Sequence, residues 1–131
     1  MSKQTKPTDG ELEILNILWE KGTATVREIH DELAKTKDAG YTTSLKLMQI
    51  MFEKGLLSRD ASSKTHIYKA AVSKEQTQGQ IVKRVIDTVF NGSAMQMVMQ
   101  ALGNHKTSSD ELEQIMEYLK DIEAKDKTNK K

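Results

Sequence analysis

Two polar side chains at one-turn spacing could read the edges of DNA bases. Lys46 and Gln49 are three residues apart in a segment whose apolar residues recur with a helical period, so both lie on the face opposite the apolar stripe. A lysine ammonium donates to guanine O6 or N7, and a glutamine amide pairs with adenine N6 and N7. Beside them, Leu45 and Ile50 offer contacts to thymine methyl groups. The pattern indicates major-groove readout, with an ordinary amphipathic solvent face as the alternative.

Five further side chains could bind DNA phosphates, which fixes register without reading sequence. Thr42 and Thr43 begin the same segment, where their hydroxyls and a helix N-terminus would meet a phosphate. Either threonine could instead serve only as the helix N-cap, and both roles remain open. Arg59, Lys64 and Lys69 lie in a predicted hairpin, and each would release about one counterion on binding a phosphate.

The charge distribution is compatible with a basic DNA-binding segment. The whole chain has a net charge of +1, from 20 Lys and Arg residues and 19 Asp and Glu residues. Residues 1–34 carry four basic and seven acidic side chains, a net charge of −3, whereas residues 35–69 carry seven basic and three acidic ones, a net charge of +4. A local basic surface attracts phosphates over about 8 Å at physiological salt. On charge alone, a solvated surface without a ligand is the simpler interpretation.

Composition and motifs exclude several other function classes. The 131 residues include no Cys, which rules out disulfides, thiolate metal sites and cysteine nucleophiles. The chain has no Gly-rich phosphate loop, no HExxH motif and no nucleophile elbow, so we expect no enzyme and no cofactor. No apolar leader opens the sequence, and no apolar run approaches the roughly 18 residues of a membrane span. We therefore expect a cytoplasmic bacterial protein without membrane insertion.

Methionine and histidine side chains are potential ligands of a soft metal ion. Met95 and Met99 share one side of a helix, but Met97 does not, and the three histidines lie in different elements without ligand spacing. Packing in an adaptable core is the more common use of methionine. The sequence therefore predicts no metal site.

Three helices and a hairpin are predicted to position the candidate DNA contacts. Capping boxes at Thr8 and Thr25 predict the starts of the first two helices, and Gly22 predicts the end of the first. The third helix is predicted from Thr42 or Thr43 to the stop at Gly55. Its core face follows the helical period and comprises Ser44, Leu47, Met48, Met51 and Phe52.

Two short strands, 57–61 and 65–70, are predicted after the third helix, with the polar link 62–64 between them. Leu57 and Ile67 are the candidates for the buried side of this hairpin. Three helices followed by a hairpin is the order of a winged helix-turn-helix. In that motif the third helix enters the major groove, and hairpin residues grip the adjacent backbone.

The second half predicts three helices that need a partner. A helix runs from residues 72–73 to Phe90, Ser93 can cap a short helix, and Ser108 or Ser109 can cap the last one. A unit of this size cannot bury its apolar residues alone. We therefore expect a homodimer. The predicted interface is an apolar seam of helical spacing, formed by Ile81, Val85, Val89, Leu112, Ile115, Leu119 and Ile122.

The predicted fold class is therefore mainly α with a small β-hairpin. Residues 1–71 are expected to form a winged helix-turn-helix DNA-binding domain. Residues 72–123 are expected to form a helical dimerisation domain, and residues 124–131 a charged flexible tail.

Five groups of residues form a pattern, by their order and spacing, over residues 8–122. These are 13–19 (EILNILW), 26–29 (VREI), 41–43 (YTT) with 53–56 (EKGL), 66–68 (HIY) and 90–93 (FNGS). The pattern resembles the penicillinase-repressor family, the BlaI/MecI/CopY group of bacterial transcriptional regulators. The resemblance implies a dimeric winged-helix repressor that binds an inverted repeat in a promoter and blocks transcription.

Three departures from the family pattern bear on the implied mechanism. Ile50 stands where family members often carry an arginine, so any contact of that arginine is absent. Copper-responsive members bind Cu(I) through a Cys-rich tail, which this chain lacks. In antibiotic-responsive members a membrane-bound sensor protease system triggers cleavage of an Asn–Phe bond, and the equivalent bond here joins Gln100 and Ala101. The resemblance implies that such a sensor system is a partner of this chain. The changed bond, however, argues against relief of repression by cleavage.

The sequence favours a homodimeric transcriptional repressor bound to a pseudo-palindromic operator. Two-fold symmetry would present identical third helices to identical half-sites. The alternative is a winged-helix adaptor that binds another protein through its third helix, as exposed Leu45 and Ile50 would allow.

Overall fold

A computed structural model describes residues 6–129, in which six helices and one two-stranded antiparallel sheet are present. The predicted fold class, mainly α with a small hairpin, is confirmed. In chain order the elements are α1 (Asp9–Lys21), α2 (Val26–Ala34), α3 (Tyr41–Lys54), β1 (Leu57–Asp60), β2 (Ile67–Ala70), α4 (Lys74–Thr88), α5 (Ala94–Asn104) and α6 (Ser109–Asn129).

The first two helices begin at the predicted capping boxes. The backbone N–H of Thr8 donates to Glu11 Oε1 at 2.9 Å, and the Glu11 N–H donates to the Thr8 hydroxyl at 3.2 Å. Thr25 and Glu28 repeat this arrangement at 2.9 and 3.2 Å. Both boxes satisfy N–H groups that an uncapped helix leaves unpaired. Gly22 ends α1 with a φ of 89°, which glycine adopts without the strain of a Cβ atom.

The start of α3 differs from the prediction. Thr42 and Thr43 are not caps: Gly40 is the N-cap residue, Tyr41 is already helical, and no side chain caps this end. Glycine is accepted at an N-cap because it allows the required extended backbone at little cost. Starting at residue 41 also places the Tyr41 ring against Arg27 and His30 of α2. The predicted stop is confirmed, since Gly55 is left-handed with a φ of 86°.

The core of the N-terminal part lies between α1, α2, α3 and the hairpin. The predicted inner face of α3 is confirmed, because Ser44, Met48 and Met51 are buried and Leu47 and Phe52 pack at the edge of the core. The indole N–H of Trp19 donates to the Val72 carbonyl at 3.0 Å and joins α1 to the segment after β2. The buried apolar residues are Ile14, Leu15, Leu18, Ala24, Val26, Ile29, Leu33, Met48, Met51, Leu56, Leu57 and Tyr68.

The hairpin places Tyr68, not Ile67, in the core. Tyr68 is 2% exposed, whereas Ile67 is only half-buried, so the prediction for Ile67 is wrong and that for Leu57 is confirmed. The cause is a long-range pairing. Tyr68 exchanges two backbone hydrogen bonds with Ala24, of 2.8 and 3.0 Å, and this bridge turns its side chain toward the core. Within the hairpin, Arg59 pairs with Tyr68 and Ser58 with Lys69.

The later helices begin and end close to the predicted positions. Helix α4 ends at Thr88, short of Phe90, because Asn91 and Gly92 adopt φ angles of 51° and 88° that reverse the chain. The Ser93 hydroxyl accepts from the Gln96 N–H at 3.1 Å and caps α5, as predicted.

The last helix extends further than the sequence indicated. Ser108 caps it and exchanges hydrogen bonds of 3.1 Å with Glu111. Helix α6 continues to Asn129, so residues 124–129 of the predicted tail are helical. Residues 124–129 contain no Gly or Pro, and Ala124, Lys125 and Lys127 favour helix. Residues 130–131 of the predicted tail, like residues 1–5 of the predicted first domain, lie outside the described residues.

Two compact units make up the chain. The first ends at Ile81 and the second begins at Val82, so the division lies inside α4 rather than at the predicted residues 71 and 72. The first unit contains the buried core, while no residue from 82 to 127 is buried.

Candidate nucleic-acid interface

The outer face of α3 presents most of the predicted base-contacting and phosphate-contacting residues. Thr42, Thr43, Lys46, Gln49 and Ile50 are exposed, as the helical period predicts. Leu45 is not, and the expectation of an exposed leucine is wrong. Its side chain is half-buried and packs against the core, because position 45 lies at the border between the inner and outer faces of the helix.

A groove of about 450 Å³ is bounded by the start of α2, by α3 and by the hairpin. It brings together four of the predicted DNA contacts: Leu45 and Gln49 from α3, and Arg59 and Lys64 from the hairpin. The remaining predicted contacts, which do not line it, are Thr42, Thr43, Lys46, Ile50 and Lys69. The groove also contains side chains that sequence reasoning did not select, namely Thr25, Val26, Arg27, Tyr41, Thr65, His66 and Tyr68.

The lysines of the first unit divide into paired and unpaired sets. Among the described residues of this unit, the lysines that form no ion pair with a carboxylate are Lys6, Lys46, Lys64, Lys69 and Lys74. An unpaired surface cation keeps its full attraction for phosphate, whereas a paired one loses much of it. Three of these five, Lys46, Lys64 and Lys69, form a basic surface on α3 and the hairpin. The paired lysines are Lys21 and Lys35 with Glu32, Lys37 with Glu13, and Lys54 with Glu11.

Two arginines stack on aromatic rings of α3. The guanidinium carbon of Arg27 lies 4.6 Å from the centre of the Tyr41 ring, and that of Arg59 lies 4.0 Å from the centre of the Phe52 ring. Arg59 was expected from its place in the hairpin. Arg27 and Tyr41 were missed, because they lie in different helices and nothing local in the sequence indicates that they meet.

The turn of the hairpin is held by polar side chains. Asp60 accepts a hydrogen bond of 2.9 Å from the backbone N–H of Ser62. This backbone bond, reinforced by the Ser62 side chain, lowers the pKa of the Asp60 carboxyl below its ordinary value. The Ser63 hydroxyl donates to the Thr65 carbonyl at 2.9 Å. These bonds fix the loop that carries Lys64 at the edge of the groove.

The histidines and acidic residues do not form a metal centre in the part of the chain that the structure describes. His30 Nδ1 lies 3.3 Å from the hydroxyl of buried Ser44. His66 is half-buried beside Tyr68, with ring centres 6.4 Å apart.

The second unit exposes its apolar residues. Of its residues in the predicted seam, Val89, Leu112, Leu119 and Ile122 are exposed, and Val85 and Ile115 are half-buried. The remaining seam residue, Ile81 at the end of the first unit, is also half-buried. An exposed apolar surface of this extent is typical of a protein interface.

The bond between Gln100 and Ala101 lies inside α5, where both residues are exposed. The Asn104 side-chain amide donates to Gln100 Oε1 at 2.7 Å, one helical turn away. The helix must open locally before this bond can enter a protease site, because a protease binds its substrate in an extended form.

Comparisons with known proteins identify relatives along most of the chain. The penicillinase repressor of Staphylococcus aureus is 23% identical over 124 residues, which cover 95% of this chain and 98% of the relative. The methicillin resistance regulatory protein MecI of S. aureus strain N315 is 25% identical over 118 residues, 90% of this chain and 96% of the relative. The transcriptional regulator BlaI of Mycobacterium tuberculosis is 24% identical over 126 residues, 95% of this chain and 90% of the relative.

No helix within residues 6–129 has the length and apolarity needed to cross a bilayer. The family described as penicillinase repressor matches residues 7–121, which is most of the chain. The resemblance inferred from the sequence is thus confirmed, and the chain belongs to the penicillinase repressor family of transcriptional repressors, which are not enzymes.

Proposed function

We propose that this chain is a homodimeric repressor that binds a pseudo-palindromic operator in double-stranded DNA. The observation that carries the proposal is the basic surface of α3 and the hairpin, where Lys46, Lys64 and Lys69 have no carboxylate partner among the described residues. The family of named repressors supports the same function. We place its action in the cytoplasm, where bacterial promoters are.

The proposed base contacts come from the outer face of α3. Lys46 donates to guanine, and Gln49, at the edge of the groove, pairs with adenine. Ile50, 37% exposed, meets a thymine methyl group. Leu45 contributes less than an exposed leucine would, because its side chain is already partly packed against the core.

The proposed phosphate contacts surround these base contacts. The first turn of α3 has no side-chain cap, so its N–H groups and the hydroxyls of Thr42 and Thr43 are available to a phosphate. Arg59, Lys64 and Lys69 bind the backbone from the hairpin. Each engaged cation should add about one to the slope of log affinity against log salt concentration.

The proposed dimer forms through the second unit. None of residues 82–127 is buried in the single chain, so this unit lacks the core that would stabilise it alone. A second copy covers the seam and brings a second α3 to the other half-site. The seam consists of Ile81, Val85, Val89, Leu112, Ile115, Leu119 and Ile122.

The base contacts predict different results for two variants. Gln49→Ala should change the base preferred at one position in each half-site, because each lost amide contact removes about 1 to 3 kcal/mol of discrimination. Lys46→Ala should weaken binding and relax the preference for guanine. An operator is first obtained by selecting bound duplexes from a random DNA library. The affinity of both variants is then measured on a panel of duplexes with single-base changes in this selected operator. Lys120→Ala, on α6 of the second unit, is the control for loss of a surface lysine.

Affinity and base preference that remain unchanged in both variants would contradict readout by α3. The adaptor function would then be favoured, and the next search would be for a protein that binds α3. The half-buried position of Leu45 reduces the apolar surface available to such a protein, so DNA remains the better supported partner.

A further inference from the structure

Two of the three arginines in the chain come from other elements and stack on aromatic rings of α3. Arg27 comes from α2 and lies over Tyr41, and Arg59 comes from β1 and lies over Phe52. Both stacking distances, 4.6 and 4.0 Å, are within the range of a cation–π interaction. The third arginine, Arg84, belongs to α4. Two elements outside the helix thus each place one guanidinium group on it.

The two stacks lie on either side of Gln49 along the helix axis. At 1.5 Å per residue, Tyr41 lies about 12 Å before Gln49, and Phe52 lies about 4.5 Å after it. Arg27, Gln49 and Arg59 all line the groove beside α3. A DNA strand whose base meets Gln49 would therefore pass both guanidinium groups.

The Tyr41 ring, over which Arg27 lies, is itself held by contacts that lead to the core. The His30 ring meets the Tyr41 ring edge to face, with centres 5.6 Å apart and planes 79° apart. On its other side, His30 Nδ1 lies 3.3 Å from the hydroxyl of Ser44, which is buried. The Tyr41 and His30 rings thus link the Arg27 guanidinium group to buried Ser44, and this chain of contacts restrains its orientation.

Neither arginine pairs with a carboxylate among residues 6–129. A guanidinium group that lies over a ring and has no carboxylate partner still has N–H groups to donate, and two of them match two phosphate oxygens. Stacking also reduces the freedom that the side chain must lose on binding. The arrangement therefore suits an anion of phosphate geometry.

We propose that Arg27 and Arg59 bind two backbone phosphates on either side of the base that Gln49 contacts, and that Tyr41 and Phe52 are positioning residues that hold the two guanidinium groups. The proposal rests on the DNA-binding function proposed above and adds Arg27, Tyr41 and Phe52 to its residues. Because phosphate contacts fix register, the two stacks set the position of Gln49 against the DNA.

The test measures the affinity of full-length variants for the selected operator duplex over a range of salt concentrations. Arg27→Ala should lose affinity on the order of tenfold and lower the salt slope by about one. Arg27→Lys should keep the slope but lose about threefold, because an ammonium group cannot form the two parallel hydrogen bonds. Arg84→Lys, the matched control in α4, should bind as the wild type.

Two variants of Tyr41 distinguish positioning of Arg27 by the ring from a general effect on folding. Tyr41→Leu should lose roughly threefold in affinity at an unchanged salt slope. Tyr41→Phe keeps the ring face and should restore wild-type affinity. Melting temperatures are measured in parallel, and those of the two Tyr41 variants should agree with each other.

Several results would overturn the inference. Wild-type affinity and slope in Arg27→Ala would show that Arg27 binds no phosphate. Equal losses in Tyr41→Leu and Tyr41→Phe, or no loss in Tyr41→Leu, would show that the ring does not position Arg27. If the operator duplex binds the wild type and any of these results is found, this inference alone fails. If the wild type enriches no duplex, the proposed function fails with it.

Discussion

Lys54→Met is expected to lower the free energy of unfolding by about 3 kcal/mol. Lys54 Nζ lies 2.7 Å from Glu11 Oε2, and the Glu11 side chain is only 2% exposed. Removing the ammonium group leaves a carboxylate buried without its partner, which costs far more than losing an exposed pair. The Lys54 side chain is 26% exposed, so water partly replaces it and the loss lies at the lower end of the range for buried pairs. Urea unfolding at a fixed protein concentration measures this loss.

Lys37→Met is the matched control for that prediction. Lys37 Nζ lies at the same distance, 2.7 Å, from Glu13, but these side chains are 44% and 49% exposed. An exposed pair contributes at most about 1 kcal/mol. The double variant Glu11→Gln with Lys54→Met should recover stability relative to Lys54→Met, because no buried charge is then left alone and the amide oxygen can still accept from the Thr8 N–H. Equal losses in Lys54→Met and Lys37→Met would contradict the account.

Leu119→Lys is expected to convert the protein to a monomer and to reduce operator affinity on the order of a hundredfold. Leu119 belongs to the proposed seam, between Ile115 and Ile122, and is 55% exposed in the single chain. A lysine there would be desolvated in the interface together with its copy from the second chain. A monomer contacts one half-site and loses the gain from binding both. Sedimentation at micromolar concentration and duplex titration measure the two effects.

Glu117→Lys provides a control with a charge introduced on the same helix. Position 117 lies outside the heptad positions of Leu112, Ile115, Leu119 and Ile122. This variant should remain dimeric. A dimeric Leu119→Lys, or a monomeric wild type at micromolar concentration, would contradict the proposed interface.

Helix boundaries could be predicted from the sequence where a local hydrogen bond sets them. Thr8, Thr25 and Ser93 each bond an N–H group three residues later, and both partners are visible in the sequence. The inner face of α3 was likewise predictable, because Ser44, Met48 and Met51 follow the helical period.

Features that depend on distant pairing could not be predicted in this way. In a strand of four residues, either alternate set of side chains can face the core. The backbone pairing of Tyr68 with Ala24, which is far away in the sequence, places Tyr68 on the buried side. The burial of Glu11 has the same origin. The capping bond of Glu11 is local, but the ion-pair partner of its carboxylate, Lys54, is the last residue of α3.

The candidate site was predictable only in part, for the same reason. Lys46 and Gln49 follow from the helical period alone. Arg27 and Tyr41 meet across the α2–α3 junction, and only the packing of the two helices brings them together.

DNA readout by α3 is tested by selection of bound duplexes from a random DNA library by the full chain, at two salt concentrations. The account predicts enrichment of an inverted repeat that weakens as salt rises, because two copies of α3 read two half-sites and the hairpin cations bind phosphates. The absence of an enriched sequence at either salt concentration would contradict DNA readout by α3.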